Sequence, residues 1–159
     1  MKEEFTEEVL QLVKVASSRI PPVENLVPSE YVKSGTSKGI PMYSNHNEKL
    51  NIEFNVERLA FPGIQTMDPR LLRIPPNRNN ELHRHAHETI FVILEGSGEV
   101  LIGDTRIPIK SGDVSFIPRW IFHQTINMGE NDLVILAITD FGFTSAVLGN
   151  YDHRTRLSQ

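Results

Sequence analysis

Between Leu50 and Ile138 the chain is a succession of short apolar runs: "LNIEFNVERLAF", "RLLRI", "ETIFVILEG", "GEVLIGD", "TRIPI", "DVSFIP", "HQTIN" and "DLVILAI". Each is bounded by Gly, Pro, Asn or Asp, residues that end extended segments, so the runs read as strands. No helix-length segment separates them. Parallel strands need a crossover of a dozen or more residues, so these strands must pair antiparallel, and an all-β barrel or sandwich follows. Gly103-Asp104 marks one hairpin turn and Ser111-Gly112-Asp113 another.

Side chains alternate between the two faces of a strand. In "TIFVIL" this puts Phe91 and Ile93 on one side and Ile90, Val92 and Leu94 on the other. Phe91, Ile93 and Phe116 read as barrel core, and such positions also line pockets. Ile90, Val92 and Leu94 are too apolar for water, which predicts a covering layer or a second subunit and therefore a homodimer.

The flanks differ in kind from this middle region. Phe5, Val9, Leu12, Val13 and Ala16 share one helical face, and Pro21-Pro22 ends that pattern. From Pro21 to Lys49 the chain is rich in Pro, Ser, Gly and Asn with no clear period, as expected of a loop wrapping a core or an arm reaching a neighbouring subunit. The expected organisation is an N-terminal helix and extended arm over 1–50, a barrel over 51–141 and a tail over 142–159. Phe141, Phe143 and Tyr151 give that tail two readings, a lid over the barrel mouth or a plug that seals the barrel end.

Composition closes off several functions. A chain of 159 residues with 39% hydrophobic and 23% charged residues supports one globular core. Its net charge is −4, and Arg70, Arg73, Arg78 and Arg84 are interrupted by prolines and acids, so no basic run tracks a phosphate backbone. Nucleic acid is not an expected partner. There is no cysteine, so any metal must rest on histidine and carboxylate. The start, "MKEEFTEEVLQLVKV", is too acidic for a secretory signal and no apolar run has spanning length, which makes a cytoplasmic location and no membrane partner the expectation.

Within "ELHRHAHETIFVILEGSGEV", His83, His85 and His87 occupy alternate positions ahead of a strand. Two imidazoles on one face can share an ion, and imidazole suits Fe, Ni, Cu and Zn. A further donor must come from elsewhere in the sheet. His123, set among Trp120, Ile121 and Phe122, is the obvious one. The ligand set expected is His83, His85 and His123, with His87 and Glu88 as further candidates, and Thr89, Phe91, Phe116 and Trp120 as pocket residues. No dedicated general base stands out beyond His87 and Glu88. Arg73 and Arg119 are candidates for holding an anion, although exposed arginines are more often solvated surface.

Two motifs give this pattern a family resemblance. "NRNNELHRHAHETIFVILEG" resembles the first cupin motif, G-x5-H-x-H-x(3,4)-E-x6-G, with His83, His85 and Gly96 in register; "GDVSFIPRWIFHQTIN" resembles the second, G-x5-P-x-G-x2-H-x3-N, through Gly112, Pro118, His123 and Asn127. The resemblance covers roughly residues 66 to 140 and implies a single jelly-roll barrel, the double-stranded β-helix. Three positions depart from it. Asn77 stands for the opening Gly and tolerates the same left-handed turn. Trp120 stands for the second-motif Gly and puts a large ring near His123. Thr89 occupies the position of the family's glutamate ligand, with Glu88 one residue early, so either the site is three-histidine or a bulge brings Glu88 inward.

What the resemblance implies is a metal-dependent protein, with Fe(II) first and Ni, Mn, Zn or Cu as alternatives. The leading reading is a dioxygenase acting on a small chelating organic substrate such as a diketone, a catechol-like enol or a thiol. Two others stay open: a non-catalytic ligand-binding or sensor module with a structural metal, and an isomerase or lyase using histidine as acid or base, which needs a partner such as Tyr43 or Tyr151.

Overall fold

The computed structural model describes residues 27–34 and 38–148. The helix expected over residues 5 to 16, and Tyr151, lie outside the described residues. Among the described residues the strands are β1 (Ile40–Asn47), β2 (Ile52–Arg58), β3 (Asp68–Ile74), β4 (Thr89–Glu95), β5 (Ser97–Ile102), β6 (Thr105–Lys110), β7 (Val114–Ile117), β8 (His123–Asn127) and β9 (Leu133–Thr139), followed by the helix α1 (Phe141–Leu148). They form a six-stranded sheet of order β1-β2-β3-β9-β4-β7 and a three-stranded sheet of order β6-β5-β8. Every ladder is antiparallel. This is the jelly-roll architecture that the strand rhythm and the two motifs imply.

The barrel begins earlier than the sequence pattern suggests. β1 lies within the stretch read as loop or arm, yet it pairs with β2 along its length. Its side chains are mostly exposed. An edge strand is held by its backbone ladder, so its side chains carry no apolar alternation to read, and Pro41 is tolerated at such an edge, beside a break in register.

The inner face of the large sheet is graded in chemistry. Across β3, β9 and β4, Leu72, Ile135 and Ile93 form one row; Arg70, Ala137 and Phe91 form the next; Asp68, Thr139 and Thr89 form the last. The apolar rows belong to a core cluster with Phe54, Ile74, Val100, Ile117 and Leu133. Burying each such side chain stabilises the fold by about 1.5–3 kcal/mol. The polar row, and the small Ala137 in the row before it, leave space at one end of the barrel.

Two glycines make the strand joints possible. Gly96 takes a φ of 80° between β4 and β5, a left-handed conformation that favours glycine. At Gly98 an added Cβ would sit 2.1 Å from the Ile126 carbonyl oxygen, so only glycine lets β5 and β8 approach. The outer face of β4 and β7 is a different surface: Ile90, Val114 and Phe116 are 44%, 65% and 51% exposed. Phe116 therefore belongs neither to the core nor to the pocket. It pairs across the ladder with Ile90, and strand phase puts both outside.

Candidate metal centre

His83 and His123 are joined by a two-way backbone bridge, in which each N–H donates to the other's carbonyl at 3.1 and 2.9 Å. That bridge ties the segment before β4 to the start of β8 and sets the two rings 4.3 Å apart, centre to centre. His85 completes the group, with ring centres 5.4 Å from His83 and 4.7 Å from His123. One nitrogen from each of the three lies within 4.8 Å of the others.

Each ring has its other nitrogen engaged. His83 Nδ1 meets the Glu81 carbonyl at 2.9 Å, His85 Nδ1 the His87 carbonyl at 2.8 Å, and His123 Nδ1 the Ile121 carbonyl at 2.9 Å. A carbonyl only accepts, so each Nδ1 carries the proton and donates. The lone pair is thereby left on Nε2, the arrangement that orients imidazoles toward a metal. His123 Nε2 is buried with no hydrogen-bond partner, a costly state for a polar atom unless something binds it. Burial, then the neighbouring His123, pulls His85 down to about 3, and burial, then His83, pulls His123 down to about 3. Both are neutral near pH 7, the form that ligates. The donor set therefore fits a divalent transition ion.

His87 and Glu88 do not join the group. Strand alternation carries His83 and His85 to one face, but the chain bends at Ala86–His87 before β4 begins. The His87 ring consequently stacks on His85 at 3.5 Å, nearly parallel, beside the converging nitrogens rather than among them. Burial first, and then His85, pulls it down to about 2. Glu88 is turned outward and pairs with Arg119 at 3.4 Å. No bulge brings it in. The inward place belongs to Thr89, which is 2% exposed and whose Oγ1 is buried without a partner.

The bend is clamped from outside. Arg119 donates to the Ala86 carbonyl at 2.6 Å and to Asp140 at 2.7 Å, while Asp140 accepts the Glu88 N–H at 2.8 Å. Arg119 thus positions the loop that carries His85. Arg73, the other arginine singled out by sequence, lies 3.9 Å from Glu57 and does not line the pocket. Trp120 takes the left-handed backbone of the glycine it replaces, with φ 62°, and donates its N–H to the His85 carbonyl at 2.8 Å. Its ring is 48% exposed and is not part of the pocket wall. A left-handed φ redirects the side chain, so Trp120 is not the pocket residue that the sequence pattern suggests.

The pocket itself is a cavity of about 60 Å³, continuous with open solvent, and runs from the three histidines over Phe54, Val56, Leu72, Phe91 and Ala137. Tyr43 and Glu81 also line it. So does Arg70, which sequence reading passed over as one of four scattered arginines. Its signal was its place two residues from Leu72 on the inward phase of β3. Of the tail aromatics, Phe141 sets its ring edge-on to His87 at 5.5 Å, and Phe143 is exposed.

A family model for the cupin domain matches residues 70–139, the segment that holds all three histidines. Over those residues the chain is a cupin domain. Among curated proteins this cupin is 28% identical over 79 residues to 5-aminosalicylate 1,2-dioxygenase of Comamonas sp, covering 50% of this chain and 21% of that one. It is 31% identical over 85 residues to auxin-binding protein 1 of Arabidopsis thaliana, covering 48% of this chain and 43% of that one. The chain thus spans well under two thirds of the curated relatives it matches. Among solved structures, a cupin 2 conserved barrel domain protein from Rhodopseudomonas palustris superposes with a TM-score of 0.55 at 28% identity, covering 64% and 69% of the two chains. No helix among the described residues is long and apolar enough to cross a membrane.

Proposed function

We propose that this cupin is an iron(II)-dependent dioxygenase acting on a small, chelating organic substrate, and that it works as a homodimer. The observation that carries the reading is the ligand set: three converging imidazoles, each with its Nδ1 engaged by a backbone carbonyl, and Thr89 where a fourth, anionic ligand would stand. Three protein ligands leave positions open for a bidentate substrate and for dioxygen. An iron ion held there would supply electrons for oxygen activation and Lewis acidity for the substrate. The chain's own residues do the rest. Phe54, Val56, Leu72 and Phe91 give the pocket an apolar wall that displaces water from a bound organic ring. Arg119 and Asp140 hold the His85 loop, and the Nδ1–H donors hold the three rings.

The open pocket beside the histidines favours a catalytic site over a sensor with a structural metal, whose coordination shell would be closed. An isomerase or lyase would call on Tyr43 or Glu81 as its acid or base. The partial identity to an enzyme named for a 1,2-dioxygenase reaction supports oxygen chemistry over these. The test is reconstitution of untagged protein with iron(II) under anaerobic conditions, followed by oxygen-electrode assays with catechols, hydroxybenzoates and β-diketones. One equivalent of iron and substrate-dependent oxygen uptake are expected. Full iron occupancy with no oxygen uptake across the series would turn the reading to a binding module.

A further inference from the structure

Arg70 is a buried cation on the wall of the metal pocket, its side chain 9% exposed. Charged groups are rarely buried unless paired. Arg70 is paired, but only in part. Its Nε and Nη2 both reach one oxygen of Asp68, at 2.9 and 2.6 Å. Arg58 takes both oxygens of the same carboxylate, at 2.8 and 3.1 Å. Two guanidinium charges therefore share one carboxylate, and the cluster carries a net positive charge. Arg58 is 44% exposed and is screened by water. Arg70 is not, so the excess charge is felt inside the pocket.

The surroundings make this a built site. The Phe141 ring lies 4.8 Å from the Arg70 guanidinium carbon and holds the plane from one side. In the adjoining row of the same sheet stands Thr89, whose Oγ1 is buried without a hydrogen-bond partner and lines the same pocket. An unpartnered buried hydroxyl calls for a ligand atom. Among the described residues the one carboxylate that lines the pocket, Glu81, already accepts from Asn45.

Resting on the metal-site reading above, we propose that Arg70 and Thr89 form a carboxylate subsite, so that the substrate is a small organic acid chelating the ion at one end and presenting its carboxylate to the guanidinium. Arg70 is then a specificity residue. Its fork gives charge-assisted hydrogen bonds in a water-poor setting, where one carboxylate is worth about tenfold in affinity or more.

The test uses the full chain loaded with nickel(II), which binds imidazole without turnover. Catechol, 2,3-dihydroxybenzoate and 3,4-dihydroxybenzoate are titrated calorimetrically into wild type, Arg70→Met and Arg70→Lys, with nickel content measured on each sample. In wild type at least one acid is expected to bind about tenfold more tightly than catechol. That preference is expected to vanish in Arg70→Met and to survive in part in Arg70→Lys, with catechol affinity held. Equal binding of catechol and both acids by nickel-loaded wild type would overturn the subsite even if Arg70→Met failed to fold. So would an undiminished preference in a folded Arg70→Met. Absence of nickel from wild type would overturn the metal reading instead, and benzoate against benzamide on that metal-free protein would then decide for or against the subsite by itself.

Discussion

The two faces of β4 are built from similar residues and meet opposite fates. Phe91 and Ile93 are 4% and 1% exposed, among the best-buried side chains of the barrel, whereas Ile90, one position away, is 44% exposed. Hydrophobicity is the same on both sides. What differs is the opposing layer: the inner face meets the core cluster, while on the outer face Leu94 adjoins Leu59, Phe61, Ile64 and Met67 and Ile90 is left exposed beside Val114 and Phe116 of β7. An apolar strand face thus marks either a core or an interface, and only the layer opposite decides which.

The comparison is sharpest at the metal end of the inner face. His83→Ala or His123→Ala is expected to abolish stoichiometric metal and the thermal stabilisation that metal gives, because an ion bound only to the folded state stabilises it. Elemental analysis and melting curves with and without nickel check this, and a full equivalent retained by either variant would remove the site. Thr89→Glu should act the other way, supplying an anionic fourth ligand and tightening metal binding.

Acid should separate the two faces next. His85, His87 and His123 are held at about 3, 2 and 3 in the folded state, against an ordinary value of 6.5. Between pH 6.5 and about 3 the unfolded chain binds protons that the folded chain refuses, so stability falls as pH drops. The slope is about 1.4 kcal/mol per pH unit for each histidine. Melting temperatures of metal-free protein should decline steeply below pH 6.5, and His87→Gln should flatten the decline. A flat profile from pH 7 to 5 would mean that these rings are not buried as neutral bases.

Truncation tests the apolar rows directly. Ile93→Ala should cost about 2–5 kcal/mol in chemical denaturation, through lost burial and the cavity left behind. Ile90→Ala, on the other face of the same strand, should cost well under half of that within a single barrel. Equal costs would show that the outer face is a core in its own right.

Assembly is the milder consequence. Light scattering should return about twice the 18.1 kDa of one chain, and Phe116→Asp together with Ile90→Asp should return about one chain mass with metal binding intact. A wild-type monomer would mean that the patch is covered by the chain's own flanking segments. The smallest effect expected is at Trp120. Replacement by Gly relieves a left-handed φ worth about 1 kcal/mol and, since the ring is off the pocket wall, should leave metal content and ligand affinity unchanged.

Much of this was legible because it is periodic. The alternation in "IEFNV", "TIFVILE" and "HQTIN" carries β2, β4 and β8, and the punctuating glycines mark the turns where they occur. The spacing of His83 and His85, with His123 forty residues away on a predicted strand, brought together the residues that the bridge between His83 and His123 holds side by side. β1 escaped notice because an edge strand needs no apolar face. Phe116 was misplaced because a four-residue strand offers too short a period to fix its phase.

Sequence by itself therefore determined most of the strands and the three histidines that come together, since both depend on local spacing along the backbone. Tertiary structure alone decided which side chains beside the three histidines point inward. The bend that turns Glu88 out, stacks His87 on His85 and brings Thr89 in is held by Arg119 and Asp140, 33 and 52 residues away from their loop partners. Arg70 became a pocket residue through pairing of β3 with β9, which sets it beside Ala137 and leaves room over the small side chain. Local spacing sets alternation, but long-range hydrogen bonds set its phase, and in a barrel the phase decides whether a charge meets water or ligand.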